Sequence, residues 1–197
     1  MNNLSARSRN LAEVLSIFAG VEIKFCTIGQ VKEYGLAKCN TPKKGCEKNK
    51  PFIRICDEDT NIIYNIALQC DPNGTSCIME LINTKIKVTK ENDAMLYCIF
   101  TLLHEAGHWY DYKDNPDEYT NELEAWNNSA DSGLSMEAAM AYRNRPMESR
   151  ADQFALNHLW EAWREIDTRI FKGLLGSAHL VVNRAAVSSS PAWDLSE

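Results

Sequence analysis

The spacing of the apolar residues changes near residue 92 and divides the chain into two parts. Upstream, short runs rich in Val, Ile and Phe are separated by clusters of Gly, Pro and Asn, which is typical of strands joined by turns. We predict strands over residues 21–26, 30–38, 52–56, 61–69 and 77–88. Ahead of them, leucines at helical spacing within residues 1–20 predict an amphipathic helix.

Downstream of residue 92 the apolar residues follow a helical period. Met95, Ile99 and Leu103 fall on one face, and this helix is expected to end at Asn115-Pro116. Further helices are predicted over residues 117–129, 135–142 and 146–171. The predicted fold class is α+β, with a small, mostly antiparallel twisted sheet beside a helical C-terminal half. We expect a single domain over residues 1–176 and a flexible tail over residues 177–197.

Charge and hydropathy exclude several classes of partner. The net charge is −6, which argues against a general affinity for nucleic acid or anionic membranes. No apolar run approaches the roughly 20 residues that a membrane-spanning helix needs, and the first residues lack the pattern of a secretory signal. We therefore expect a cytoplasmic protein. Secretion of a processed form stays open, because seven cysteines are many for a cytosolic chain of this length.

Four of the cysteines form two pairs with the same spacing, Cys39 with Cys46 and Cys70 with Cys77. Each pair encloses turn-forming residues, so each could close a loop. Three interpretations remain at this point: two local disulfides, one zinc site with four thiolates, or free thiols. Structural zinc sites usually separate their cysteines by two to four residues, so the intervals of six disfavour zinc.

The segment His104-Glu105-Ala106-Gly107-His108 predicts a zinc site on the helix that follows residue 92. Residues four apart in an α-helix lie on the same face, so the two imidazoles can share one Zn²⁺ ion. Glu105 points to the adjacent side, where it can contact a metal-bound water without binding the metal. That is the position of a general base.

A catalytic zinc ion needs a third protein ligand, and Glu148 is the predicted one. Asp152 lies four residues later on the same helix face, where it can accept a hydrogen bond from a ligating histidine, His104 by preference. Asp111 and Asp114 compete for the third position. Asp111 can alternatively support a ligand from outside the coordination sphere, whereas Asp114 lacks the preceding glycine that would turn the backbone sharply.

Three further residues are weaker candidates for the site. Tyr142 precedes Glu148 by six residues, and its phenol can stabilise an oxyanion or simply pack in the core. His158 falls off the Glu148 face and is interpreted as structural. His179 lies near the tail, and we expect it to be exposed.

Together, His104-Glu105-x-x-His108 and Glu148-x-x-Ala151-Asp152-x-Phe154-Ala155 resemble the motif pair of the gluzincin peptidases. The compact size makes the chain similar to the minimal ImmA/IrrE-like metallopeptidases. The resemblance implies a zincin-like fold, in which a small twisted sheet packs against the histidine helix. It also implies an edge strand antiparallel to the bound peptide, for which residues 77–88 are the candidate.

The sequence therefore predicts a zinc metallopeptidase that acts on a protein or peptide, with Glu105 as the general base. Two alternatives stay open. The first is a non-catalytic regulatory or interaction module that binds zinc, and the second is a toxin or effector peptidase with one specific target. Nothing in the sequence sets the oligomeric state.

Overall fold

The computed structural model describes residues 4–28, 36–42, 50–127 and 135–171. These residues form seven α-helices and three strands: α1 (Ser8–Val14), β1 (Ile23–Cys26), β2 (Ala37–Asn40), β3 (Phe52–Cys56), α2 (Thr60–Cys70), α3 (Pro72–Asn83), α4 (Asp93–Asp114), α5 (Pro116–Asn127), α6 (Met136–Arg143) and α7 (Pro146–Ile166). A 3₁₀ turn follows α1, and a π-helical turn follows α7. The predicted α+β class is confirmed, and helices dominate it.

The sheet is mixed rather than mostly antiparallel, so that part of the prediction is wrong. Its strand order is β1-β3-β2, with β1 parallel and β2 antiparallel to the central strand β3. The apolar residues of β3, Ile53 and Ile55, are fully buried. Alternation in the sequence predicts which residues face the core, but it carries no information on strand direction.

Two of the predicted strands are helices. Residues 61–69 lie in α2, and residues 77–83 form the C-terminal half of α3, so residues 77–88 do not form an edge strand. The polar residues at the helix starts decide the outcome. Asp59 accepts a hydrogen bond from the Asn61 amide, and Asp71, followed by a proline in the first turn, accepts one from the Gly74 amide. Ile63 of α2 and Ile78 and Ile82 of α3 are buried, whereas Ile62 is exposed.

The helices predicted after residue 92 are confirmed. They correspond to α4, α5, α6 and α7, and Ser135 caps α6 by accepting a hydrogen bond from the Ala138 amide. The opening helix is shorter than residues 1–20 would allow. Most of the predicted strand 30–38 and the tail predicted over 177–197 lie outside the described residues. None of the helices in the described ranges is both long and apolar enough to cross a membrane.

All six cysteines within the described residues are free thiols, and Cys46 lies outside those residues. Cys70 ends α2 and Cys77 lies in α3, where its sulfur is 3.6 Å from the sulfur of Met136. The disulfide interpretation of this pair is therefore wrong. No cysteine belongs to a metal-ligand group among the described residues.

Helix α4 is the central element of the core. It packs against α7 on one side and against α2, α3 and the sheet on the other. The approach to α7 is close because Gly107 has no side chain. A Cβ atom built on Gly107 would lie 3.0 Å from Ala151 Cα and 3.1 Å from Phe154 Cβ. Gly107 therefore sets the distance between the two helices that carry the predicted ligands.

We expect Gly107→Ala to lower the free energy of unfolding by up to about 2 kcal/mol. The added methyl group must push the α7 backbone away, which costs about 1–3 kcal/mol, and the better helix propensity of alanine returns about 1 kcal/mol. Urea denaturation followed by circular dichroism measures the change. Ser149→Ala, at an exposed position of α7, is the control and should change stability by no more than about 0.5 kcal/mol. Equal or greater stability of Gly107→Ala would contradict this packing argument.

Candidate metal centre

Helices α4 and α7 bring His104, His108 and Glu148 together in the interior. The two histidines lie one turn apart on α4, and Glu148 lies in the first turn of α7. All three side chains are buried, and each offers a ligand atom within 4.8 Å of the other two. This group can hold a metal ion.

The separations between the ligand atoms fit such an ion. His104 Nε2 lies 3.0 Å from His108 Nε2 and 3.2 Å from Glu148 Oε2, and His108 Nε2 lies 3.6 Å from Glu148 Oε2. Ligand atoms that bind one tetrahedral ion through bonds of roughly 2.0–2.1 Å are about 3.3 Å apart. Moreover, Glu148 Oε2 is buried and faces the two imidazole nitrogens without forming a well-aligned hydrogen bond among the described residues. A shared cation would supply the partner that this oxygen lacks.

Asp152 fixes the orientation of one imidazole. Its Oδ1 atom lies 2.8 Å from His104 Nδ1, which is the contact expected from the sequence. When His104 Nδ1 donates its proton to this carboxylate, the lone pair of Nε2 is left for a metal. Asp152 Oδ1 also accepts a hydrogen bond of 2.6 Å from Arg143 Nη1. The guanidinium therefore holds the carboxylate in place from the other side.

The charges of the group favour a bound cation. Burial favours the neutral form of Glu148, but the imidazoles of His104 and His108 outweigh this effect and hold its pKa below the usual range. Burial also opposes a charge on His104, yet Asp152 and Glu148 raise its pKa to about 9. The two buried carboxylates beside His104 thus favour a positive charge at this position, which a metal cation would supply.

Glu105 lies beside the group without joining it. Its side chain is partly buried, and Oε2 accepts a hydrogen bond of 2.5 Å from the backbone N–H of Cys39 in β2. Burial and the Glu105 carboxylate both raise the pKa of the Cys39 thiol. A thiol that keeps its proton is a poor metal ligand, so Cys39 positions Glu105 through its backbone rather than through sulfur.

Tyr142 touches the group directly. Its hydroxyl donates a hydrogen bond to Glu148, and burial together with this carboxylate raises its pKa. Asp111 instead accepts hydrogen bonds from Arg150, which also donates to Glu122, so the Arg150 guanidinium links α7 to α4 and α5.

The remaining sequence candidates lie outside the group. Asp114 is exposed at the last residue of α4. The His158 ring packs 4.5 Å from the ring of Phe154, in agreement with a structural role. His179 lies outside the described residues.

Sequence reasoning missed three residues around the group: Cys39, Tyr119 and Arg143. The Tyr119 ring meets the His108 ring edge to face, with centroids 5.9 Å apart. Burial and the nearby carboxylates raise the pKa of Tyr119. Cys39 and Tyr119 come from β2 and α5, and no spacing relates them to the histidine motif. Of the three, Arg143 had the clearest signal in the sequence, because it directly follows Tyr142 and is a cation a few residues before the carboxylates of Glu148 and Asp152.

No family model, curated protein or solved structure matches this chain. The metal-ligand group is therefore supported by the geometry of the chain itself. That geometry is consistent with a zincin motif.

We expect Glu148→Gln to lose most of the bound metal, because the neutral amide cannot replace the carboxylate as a charged ligand. The parent protein should retain about one ion per chain after dialysis, and the variant's affinity should fall by more than the roughly 10–100-fold that loss of an outer-shell partner costs. Mass spectrometry of the metal content measures this. Glu161→Gln, an exposed position on the same helix, is the control and should bind like the parent. Equal metal content in parent and Glu148→Gln would remove Glu148 from the site.

Proposed function

We propose that the protein is a zinc-dependent metallopeptidase, in which His104, His108 and Glu148 hold one Zn²⁺ ion and Glu105 is the general base. The observation that carries this proposal is the buried group of three metal ligands together with the Glu105 carboxylate, which lies beside the group and is not one of the ligands. Two imidazoles and one carboxylate suit zinc, and three protein ligands leave a position for water. Among the described residues no fourth histidine, cysteine or carboxylate joins the group, in agreement with a catalytic rather than a closed structural site.

When bound, zinc would polarise the substrate carbonyl and lower the pKa of a coordinated water. The chain's own residues then handle the protons. Glu105 accepts the proton of the attacking water and passes it to the leaving amine. The N–H of Cys39 donates a hydrogen bond to the Glu105 carboxylate, which restricts the conformations of that side chain.

Strand β2 offers a place for an extended peptide. It is the edge strand nearest α4. The backbone N–H and C=O groups of its successive residues point alternately toward β3 and away from it. Leu36, just before the strand, accepts a hydrogen bond from Cys56, so the backbone groups of Ala37 and Cys39 point away from β3. The Cys39 N–H already donates to Glu105, which leaves the Cys39 carbonyl and the backbone groups of Ala37 for a peptide. A peptide strand added there would pass beside Glu105. This role replaces the one expected for residues 77–88.

Tyr142 is placed to assist the reaction. Its hydroxyl contacts Glu148 and lies on the wall of a cavity that also reaches His104 and Glu105. The phenol has one O–H, so it would have to turn from Glu148 to donate a hydrogen bond to the oxyanion that forms when water attacks the peptide carbonyl.

We expect Glu105→Gln to retain about one zinc per chain and to lose peptide hydrolysis by roughly 10²–10⁴-fold, because the amide cannot accept the proton of the attacking water. Cleavage of a mixed peptide library, read by mass spectrometry alongside zinc content, measures both. Glu124→Gln, an exposed position on α5, is the control. Undiminished hydrolysis by Glu105→Gln would exclude Glu105 as the base. Zinc binding by the parent without cleavage of any library peptide would instead favour one specific protein target or a regulatory module.

We expect Tyr142→Phe to reduce kcat by roughly 10²–10³-fold with little change in zinc content, as for loss of one oxyanion donor. Steady-state kinetics on the best library peptide separate kcat from KM. Tyr112→Phe, on a partly buried tyrosine outside the cavity, is the control. A variant with parental kcat would assign Tyr142 to packing alone.

A further inference from the structure

The side chain of Glu105 is bound to the edge of the sheet. Its Oε2 atom accepts a hydrogen bond of 2.5 Å from the backbone N–H of Cys39 in β2. Hydrogen bonds to a carboxylate are stronger than those between two neutral backbone groups. In the ligand-free chain, the carboxylate proposed as the general base is therefore held by a backbone donor of the edge strand.

That N–H is one of the groups that an added strand needs for full pairing with β2. Residues 37 and 39 direct their N–H and C=O groups away from β3, because the bond from the Cys56 N–H to the Leu36 C=O fixes the alternation. In an antiparallel addition, one peptide residue bonds to both the N–H and the C=O of Cys39. In a parallel addition, one peptide residue bonds to the C=O of Ala37 and the N–H of Cys39. Either direction requires the N–H that Glu105 holds.

Open space lies beside this edge of β2. Among the described residues β2 pairs only with β3, so its other edge carries no strand. A cavity of about 350 Å³ is lined by Ala37 of β2 and by His104 and Glu105 of α4. A peptide that follows this edge would therefore enter the cavity next to the metal-ligand group.

A peptide carbonyl and the Glu105 carboxylate compete for the same donor. A strand hydrogen bond places the carbonyl oxygen at roughly 2.9 Å from the amide nitrogen, in the region that Oε2 of Glu105 occupies. Both oxygens cannot lie on the line of one N–H, so the peptide pairs fully with β2 only when Glu105 turns away. Glu105 is partly buried and lines the same cavity as His104, so a carboxylate released from β2 stays beside the metal-ligand group.

We propose that the substrate is an extended peptide segment that takes the Cys39 N–H from Glu105, and that this exchange releases the base for the attacking water. The inference rests on the proposed peptidase function. A small molecule that reaches the metal-ligand group without pairing with β2 leaves Glu105 bound to the strand. The exchange therefore selects peptides that can form a strand, and it disfavours hydrolysis of peptides too short to pair with β2.

Two zinc-loaded variants of the full chain, both without the base carboxylate, test the competition in the absence of turnover. In Glu105→Gln the side-chain amide oxygen can still accept the Cys39 N–H, whereas Glu105→Ala leaves this donor for a ligand. Three hydroxamates serve as probes. Acetohydroxamate is too short to pair with β2, and the other two carry four alanines before or after the same chelating group. Calorimetric titration gives the affinity that the alanines add relative to acetohydroxamate.

We expect the alanines of at least one probe to add about fivefold more affinity in Glu105→Ala than in Glu105→Gln, which is the effect of one neutral hydrogen bond. Adding Cys39→Pro to Glu105→Ala should remove this difference, because proline has no N–H. Proline is compatible with an edge-strand position whose N–H points away from the sheet. Cys39→Ala, which removes only the thiol, is the matched control and should keep the difference.

Equal gains in Glu105→Ala and Glu105→Gln would overturn the inference, and so would a difference that survives Cys39→Pro. The comparison between the two Glu105 variants stays decisive if the proline variant does not fold. A difference that depends on the Cys39 N–H, in a parent chain that hydrolyses no peptide, would support the competition at β2 while the peptidase proposal failed. Hydrolysis by the parent chain, with equal gains in both variants, would overturn this inference alone.

Discussion

The close packing of α7 against α4 is the constraint on which the site depends. Gly107 lets the backbone at Ala151 approach α4, and this approach brings Glu148 and Asp152 to the histidines. The same contact buries two carboxylates, which is unfavourable unless cationic partners accompany them. The guanidinium of Arg143 supplies part of that charge through its hydrogen bond to Asp152. A divalent ion at the ligand group would supply more.

Arg143 connects the metal centre to the neighbouring cavity. Its Nη1 atom holds the carboxylate that orients His104, and the same residue lines the cavity beside the metal-ligand group.

The sequence predicts those parts of the site that lie on single helices. Helical spacing places His104 and His108 on one face, and the same rule pairs Glu148 with Asp152. It does not predict contacts between distant segments, such as the Cys39 amide with Glu105 or Arg150 with Asp111. These contacts depend on how the elements pack, which a periodic pattern does not contain.

The errors in the fold have a similar origin. Residues 61–69 and 77–88 are rich in isoleucine. The strand propensity of isoleucine is small, and the packing of the surrounding residues can outweigh it. The N-terminal caps at Asp59 and Asp71 and the burial of one helix face decide for α2 and α3. Likewise, the parallel pairing of β1 with β3 depends on the path of the connecting residues rather than on the composition of either strand.

A crystal structure of the zinc-loaded protein, with diffraction recorded at the zinc absorption edge, tests the central claim most directly. The account predicts one anomalous peak bonded to His104 Nε2, His108 Nε2 and Glu148 Oε2, with a water molecule as the fourth ligand. An ion located elsewhere, or a fourth bond from a protein side chain that closes the coordination sphere, would contradict it.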